Sequence, residues 1–248
     1  DGVDVTAERF HKILASQERL PTTSLPPPGS FLEGFQRAAA DAEQVVGVVL
    51  SSVLSGTYAS AEAAAAQDSD LPIHLADSRG ASLLQGLLVL KATELAEMAT
   101  PADEIVKELT RIRDQSGIMF TIETFDRLLA SGRVSQSKAF LGTLLNVKPI
   151  LAIDREGKVV PRGTAIGRKR VILALLDAMA KDMGRVPETV RFGIVHVGIP
   201  DIISEVRELL VARYGEVEIL NAPITPVIAT HIGIGAWGLA YMVEDPPR

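Results

Sequence analysis

Four hydroxyl side chains that could hold an anion lie in one short segment, Leu50 to Ala61 (LSSVLSGTYASA). They are Ser51, Ser52, Ser55 and Thr57. A hydroxyl donates a hydrogen bond to an anion without neutralising its charge, and Gly56 lets the backbone approach a ligand closely. The segment therefore predicts an anion-binding loop made of neutral donors. Hydroxyls that only cap a helix explain the same residues equally well.

The elements on either side of this loop should place it at the edge of a sheet. The apolar run from Val45 to Leu50 (VVGVVL) predicts a buried strand, and the alanine-rich pattern from Thr57 to Gln67 predicts a helix. Ligands of open α/β sheets bind beyond the carboxyl ends of strands. A helix N-terminus at that edge offers free N–H groups and partial positive charge to an anion.

Two further groups of residues are candidates for ligand contact. His231 precedes a G-x-G-x-x-G pattern at 233–238, and it is either a core histidine or a polar contact to a ligand head group. A dinucleotide site would need a βαβ unit after the pattern, so we expect its glycines to serve close packing or ligand approach. A basic cluster fits either a solvated face or a docking patch for a phosphate or an acidic partner. Its members are Arg162, Arg168, Lys169 and Arg170.

Composition excludes several classes of function. The chain has 248 residues, no cysteine and a net charge of -6. Disulfides and thiolate metal sites are therefore excluded, and a general nucleic-acid binder is disfavoured. The segment Pro226 to Val243 is nearly long enough to cross a membrane, but its histidine and glycines favour a buried core segment. No basic stretch precedes an apolar run near Asp1, and we expect a cytoplasmic protein without stable membrane insertion.

The alternation of apolar runs and helical patterns predicts an α/β fold. A composition shift near Gly117 predicts two units, an N-terminal α/β domain over 1–116 and a mixed α+β domain over 117–248. We expect Ser30 and Thr100 to cap helices. The predicted strands are Val45 to Leu50, Ile73 to Ala76, Ile118 to Ile122, Lys148 to Ile153, a return strand from Val159, Val190 to Val197 and Val217 to Leu220.

Four motifs occur together and in a fixed order. They are TTSLPPPGSF, LSSVLSGTYASA, FTIETFDRLLASGRVSQSKAFLGTLLNVKPIL and ITPVIATHIGIGAWGLAY. In this combination the chain resembles the DegV family of bacterial fatty-acid-binding proteins over nearly its whole length. The resemblance implies two α/β domains with a long-chain fatty acid buried between them.

The resemblance also implies which residues hold the ligand. The carboxylate would be bound by Thr23 of the T-S-x-P segment and Ser55 of the L-S-G-T loop. Their neighbours Ser24, Ser52 and Gly56 could share that role, and His231 stands at the histidine of the T-H-x-G-x-G segment. Some family members present their fatty acid to a separate fatty acid kinase, which makes acyl phosphate for phospholipid synthesis. The implied protein is a lipid carrier without metal or cofactor, and the ligand is its fatty acid.

Three differences from the family pattern bear on this interpretation. Family members carry a strand and a D-S-rich loop upstream of the segment at which this sequence begins. They usually have a polar residue, often Gln, where Leu25 stands. Many have an arginine at the position of Ile166, so Arg168 or Arg170 would have to supply any basic contact to an acyl phosphate or a partner.

Apolar periodicity suggests the walls of the fatty-acid tunnel. The candidates are Leu83, Leu84, Leu87, Leu144, Leu145 and Ile150. The alternative function is a small-molecule phosphotransferase that uses the Ser55 loop. Such an enzyme would need a general base near Ser55, for which Asp77, at a predicted strand end, is the available candidate. A regulatory module without a ligand is a third possibility.

Overall fold

A computed structural model describes residues 3–16, 21–67, 70–134 and 147–246. Within these residues the chain forms nine helices and eight strands. The helices are α1 (Ala7–Ser16), α2 (Pro28–Ala38), α3 (Thr57–Ala65), α4 (Leu83–Glu97), α5 (Ala102–Arg113), α6 (Asp126–Ser131), α7 (Arg168–Met183), α8 (Ile202–Tyr214) and α9 (Pro226–Ile232). The strands are β1 (Val45–Val49), β2 (Ile73–Asp77), β3 (Gly117–Thr121), β4 (Val147–Ile153), β5 (Val159–Ile166), β6 (Val190–His196), β7 (Glu218–Pro223) and β8 (Trp237–Val243).

The N-terminal part is built on a small parallel sheet. Strands β1 and β2 pair in parallel, with Val45 opposite Ile73 and Val49 opposite Asp77. Both ends of β1 are buried, and they pack against Phe35 of α2 and Ala61 of α3. The small side chains of α3 let this helix lie close to the strand, because alanine adds little bulk at a helix–sheet contact. The loop after β1 is thereby fixed at the carboxyl edge of the sheet.

The rest of the chain is organised on a mixed sheet of six strands in the order β5-β4-β3-β8-β6-β7. Strand β8 is central and buried at every position, and it pairs antiparallel with β3 and β6. Helices α7 and α8 cover one face, where Leu175, Leu210 and Tyr241 belong to one core. Helices α6 and α9 pack on the other face, with Leu128 and Ile232 in a second core.

A third core joins the two sheets. It contains Leu87 of α4 and Leu109 of α5 together with Ala76 of β2, Ile118 of β3 and Met242 of β8. Helices α4 and α5 thus pack against both sheets. The predicted α/β fold, with a parallel sheet first and a mixed sheet after it, is confirmed. The domain boundary at 116/117 stays a prediction, although β3 begins at Gly117.

Two predicted helix caps are wrong. Helix α2 begins at Pro28, so Ser30 lies inside its first turn, because proline is well tolerated where the helical N–H groups have no partner. Helix α5 begins at Ala102 after Pro101, and Thr100 lies outside it. Neither N-cap position makes a side-chain hydrogen bond. Proline's fixed φ starts both helices without a hydroxyl cap.

The long apolar segment near the C-terminus is divided between two elements. Its first part forms α9, and its second part forms the central strand β8 after the glycines at 233 and 235. This confirms the prediction of a buried core segment. Among the helices in the described ranges, none combines the length and apolar character that a membrane crossing requires.

Candidate functional site

A cavity of about 590 Å³ lies between the β1 and β2 loops, helix α9 and one face of the six-stranded sheet. This volume falls within the range of cavities that enclose small organic ligands. The apolar side chains of its wall are Leu25, Pro26, Leu50, Leu54, Ala81, Ile118, Phe120, Leu128, Ile153, Val159, Val195, Ile224, Val227, Ile228 and Ile232. Among the described residues, the polar side chains of the wall are Thr23, Ser24, Ser55, Thr57, Ser82, Arg133 and His231, and Gly56 and Gly238 also line it.

Thr23 and His231 are 208 residues apart in sequence and meet at this cavity. The Oγ1 atom of Thr23 lies 2.9 Å from Nε2 of His231. Helix α9 positions the histidine, while the extended segment before α2 carries the threonine. The Nδ1 atom of His231 is buried and has no hydrogen-bond partner in the described part of the chain. The imidazole therefore has one nitrogen engaged by Thr23 and one available for another group.

Ser55 reaches the cavity from the loop between β1 and α3. Its Oγ lies 2.7 Å from Oγ1 of Thr57, and it accepts a hydrogen bond of 3.3 Å from the Thr57 N–H. Gly56 is the N-cap residue of α3, and both Gly56 and Thr57 line the cavity. The first turn of α3 therefore borders the cavity with its N–H groups and partial positive charge. Ser60 ties this helix to the Thr23 segment through a 2.6 Å hydrogen bond to the Pro26 carbonyl.

The two other hydroxyls of the loop have structural partners. Ser51 is buried and donates a 2.9 Å hydrogen bond to the carbonyl of Gly157, in the turn between β4 and β5. Ser52 donates a 2.6 Å hydrogen bond to the carboxylate of Asp77 and does not line the cavity. The loop therefore divides its hydroxyls, with Ser55 and Thr57 at the cavity and the other two holding the loop in place.

Arg133 lines the cavity and was not among the residues expected there. It follows Gly132, whose left-handed conformation (φ 70°) ends helix α6 and redirects the chain. In the sequence, Arg133 is a basic residue directly after a helix-ending glycine, and this pattern is typical of an ordinary surface turn. The cavity wall thus contains a guanidinium group in addition to the hydroxyls of the Leu50 to Ala61 loop.

The basic residues proposed near α7 lie away from the cavity wall. Arg168 forms ion pairs of 2.6 Å with Asp201 and with Glu205 of α8. Arg170 is exposed, and neither arginine lines the cavity. Ile166 is 54% exposed near the end of β5. A contact of these arginines with a phosphate or a partner stays a prediction.

The predicted tunnel wall is wrong at four positions. Leu84 and Leu87 are buried in the core that joins the two sheets, Leu83 packs at its edge, and Ile150 is buried under α7. These residues have the apolar spacing of helix and strand faces because they pack at helix–sheet contacts. Leu144 and Leu145 lie outside the described residues. The observed wall is assembled from single residues of many elements, which periodicity within one element does not detect.

Two histidines make stability depend on pH, the buried His196 and the half-buried His231. Burial and the nearby Arg133 charge lower the pKa of His231, and burial with the charge of His11 lowers the pKa of His196. The folded state then binds fewer protons than the unfolded state just below the ordinary histidine pKa of about 6.5. We expect the free energy of unfolding to fall as the pH decreases from about 7 through that value towards the lowered pKa values.

Urea denaturation at a series of pH values measures this dependence. The variant His196→Gln should reduce the slope of unfolding free energy against pH between about 7 and 5, since it removes one of the two groups. A slope as steep as that of the wild type would contradict the assignment to this histidine. Comparing slopes separates the proton linkage from any constant loss of stability that the substitution causes.

Known proteins are similar to this chain in sequence and fold. The sequence profile of the family described as "Uncharacterised protein, DegV family" matches residues 1–244. Protein DegV of Bacillus subtilis (strain 168) is 31% identical over 243 residues, which cover 97% of this chain and 85% of the relative.

Solved structures agree with this result. The structure described as "Fatty Acid Binding of a DegV family Protein from Thermus thermophilus" is 31% identical, with a TM-score of 0.89 over 97% of this chain and 85% of the other. The structure of DegV from Bacillus subtilis, described as a fatty acid binding protein, has 31% identity and a TM-score of 0.84, over 95% of this chain and 83% of the other. The chain belongs to the DegV family.

Proposed function

We propose that this protein binds one long-chain fatty acid in the cavity, with the carboxylate at Thr23 and Ser55. The observation that carries the proposal is the composition of the cavity wall, where these two hydroxyls, together with His231, border a space otherwise enclosed mainly by aliphatic side chains. Relatives that are 31% identical are described as binding fatty acids. A charged head with a long apolar tail is the ligand class that such a wall suits.

The tail should supply most of the binding free energy. A sixteen-carbon acid has about fourteen methylenes, and burying each contributes roughly 0.8 kcal/mol, or on the order of 11 kcal/mol before the costs of association. A hydrogen bond to the charged carboxylate contributes about 1.5–3 kcal/mol. The polar residues therefore decide mainly which end of the ligand lies at the Thr23 and Ser55 hydroxyls.

The hydrogen bond between Thr23 and His231 orients the head-group donors. When Nε2 of His231 carries the ring proton, it donates to Oγ1 of Thr23, and the hydroxyl proton of Thr23 is free to donate to a carboxylate. The lowered pKa of His231 favours this neutral ring at neutral pH. Arg133 donates a hydrogen bond to the Ser131 carbonyl and adds positive charge at the cavity wall, which would attract the carboxylate.

A carboxylate held by hydroxyls keeps nucleophilic character. Hydrogen bonds from neutral groups withdraw less charge than a bidentate arginine pair. The proposed role is therefore that of a carrier that presents its fatty acid to a separate fatty acid kinase in the cytoplasm. A carboxylate oxygen would attack the terminal phosphorus of a nucleoside triphosphate, the nucleoside diphosphate would leave, and the acyl phosphate would enter phospholipid synthesis.

The alternative, a phosphotransferase with Asp77 as its general base, has less support. The Asp77 carboxylate accepts hydrogen bonds from the Ser52 hydroxyl at 2.6 Å and from the Arg79 N–H at 2.8 Å. It does not line the cavity that Ser55 borders. Its contacts are those of a residue that fixes two neighbouring loops.

Native mass spectrometry tests the proposed ligand. The purified protein, incubated with hexadecanoic acid, should gain the mass of one acid. Leu54→Trp should abolish this mass shift, because Leu54 lines the cavity and the larger indole would fill it. Val53→Trp is the matched control, since Val53 is 51% exposed and lies outside the wall. Equal binding by both variants, or no binding by the wild type, would contradict the proposal.

A further inference from the structure

A row of three residues crosses the centre of the six-stranded sheet at the cavity. Phe120 of β3 pairs with Gly238 of β8, and Gly238 pairs with Val195 of β6. All three line the cavity. Directly opposed residues of neighbouring strands point to the same face of a sheet. Because the middle residue has no side chain, the row contains a gap between an aromatic ring and a branched side chain.

In the neighbouring row on the same face of the sheet, a helix covers the position of the glycine. This row contains Ile118, Ala240 and Gly193. A Cβ atom added at Gly193 would lie 2.8 Å from Cβ of Leu83, so helix α4 already covers this glycine. Ala240 and Gly193 do not line the cavity. The absence of a side chain thus serves helix packing at Gly193, whereas the gap at Gly238 faces the cavity.

The cavity continues across the other half of the sheet. Ile118 pairs with Ile153 of β4, and Ile153 pairs with Val159 of β5. These three residues also line the cavity. We call the surface formed by these six wall residues, from Val159 to Val195, the furrow. It crosses five adjacent strands, and neighbouring strands are about 4.8 Å apart, which gives a width of roughly 19 Å.

The width of the furrow matches the length of a long-chain fatty acid. A zigzag of C–C bonds of about 1.5 Å advances roughly 1.3 Å per carbon, so an extended sixteen-carbon chain is also about 19 Å long. In the part of the chain that the structure describes, every residue that a strand contributes to the cavity wall is apolar or glycine. The polar wall residues, such as Ser55 and His231, come from loops and from helix ends. The sheet is therefore the surface suited to the tail.

The backbone dihedral angles do not require a glycine at position 238. Gly238 is absent from the residues with positive φ, so its strand conformation is open to any amino acid. A Cβ atom at this position would lie 3.0 Å from the carbonyl oxygen of Met119, 3.0 Å from Cβ of Phe120 and 3.4 Å from Cγ2 of Val195, so a side chain here is tightly packed at its base. It would thus enter the gap between the two flanking side chains. We propose that the acyl chain lies in the furrow and that Gly238 determines the length of tail that the protein accepts.

This inference rests on the proposed function, and a profile of affinity against chain length tests it. Each buried methylene is worth about fourfold in affinity, so in the wild type the affinity should rise steadily from decanoic to hexadecanoic acid. Gly238→Val and the milder Gly238→Ala should stop this rise at a shorter acid. The ratio of hexadecanoic to dodecanoic affinity should fall by tenfold or more in Gly238→Val.

The matched control is Gly193→Ala, on the next strand and the same face but outside the cavity. It should lower the melting temperature, because its Cβ atom meets Leu83, and it should keep the wild-type affinity ratio within about twofold. An unchanged ratio in folded Gly238 variants would overturn the inference, even if every acid bound more weakly. Failure of the wild type to bind any of these acids would instead reject the proposed function.

A second variant applies if both Gly238 substitutions prevent folding. Val195→Ala widens the gap beside Gly238, and cores usually tolerate such a deletion at a moderate cost in stability. It should raise the affinity for an acid with a methyl-branched tail, relative to the straight-chain isomer, by about threefold or more. An unchanged ratio between the two isomers would overturn the assignment of this row as the surface that contacts the tail.

Discussion

Hexadecanoic acid should bind roughly 10⁴-fold more tightly than octanoic acid. The two acids differ by eight methylenes, and burying them contributes about 6 kcal/mol. The wall of the cavity supplies the necessary apolar surface, with branched side chains from α9 and from strands of the six-stranded sheet. Displacement of a fluorescent fatty acid, at concentrations below micelle formation, measures both affinities.

A matched alcohol separates the tail from the head. 1-Hexadecanol has a similar tail without the carboxylate, so it should bind more weakly than hexadecanoic acid by only the head-group contribution of a few kcal/mol. It should still bind much more tightly than octanoic acid. Equal affinities for octanoic and hexadecanoic acid would show that the tail lies outside the cavity, and the carrier account would then be wrong.

Replacing Thr23 and Ser55 together by alanine should weaken binding of hexadecanoic acid by about a hundredfold and abolish its phosphorylation. Loss of two hydrogen bonds to a charged group costs about 3 kcal/mol or more, while the buried tail retains most of the affinity. Without the hydroxyls the carboxylate is no longer held in a single position for attack. Acyl phosphate formation is measured with a fatty acid kinase that accepts the wild-type carrier.

Two controls accompany the double variant. Ser52→Ala removes a hydroxyl from the same loop but outside the cavity, and it should leave affinity and phosphorylation near the wild-type values. Ser55→Ala alone shows how much stability is lost with the hydrogen bond that Ser55 accepts from the Thr57 N–H. Undiminished turnover by the folded double variant would reject the role of these hydroxyls in presenting the carboxylate.

Local patterns were sufficient to predict the fold and the polar loop. The strand at Val45–Val49 and the helix at Thr57–Ala65 follow from a continuous apolar run and an alanine-rich pattern. The shift in pattern near Gly117 coincides with the start of the six-stranded sheet. These features depend on residues that are close together in the chain, so they can be predicted from a single sequence.

The site required information that is not local. The contact of Thr23 with His231 joins segments 208 residues apart, and only the resemblance to the DegV family placed both at one ligand. Arg133 could not be recognised because its position depends on how α6 packs beside α9. Leu84 and Leu87 were mistaken for cavity wall, since a buried helix face has the same periodicity whether it covers a core or a ligand.

A crystal structure with 16-bromohexadecanoic acid tests the central claim most directly. The anomalous signal of bromine marks the end of the tail, and the density of the carboxylate marks the head. We predict the carboxylate within hydrogen-bond distance of the Thr23 and Ser55 hydroxyls, and the bromine in the furrow on the six-stranded sheet. Bromine beside Thr23 and Ser55, or an acid bound outside the cavity, would contradict the account.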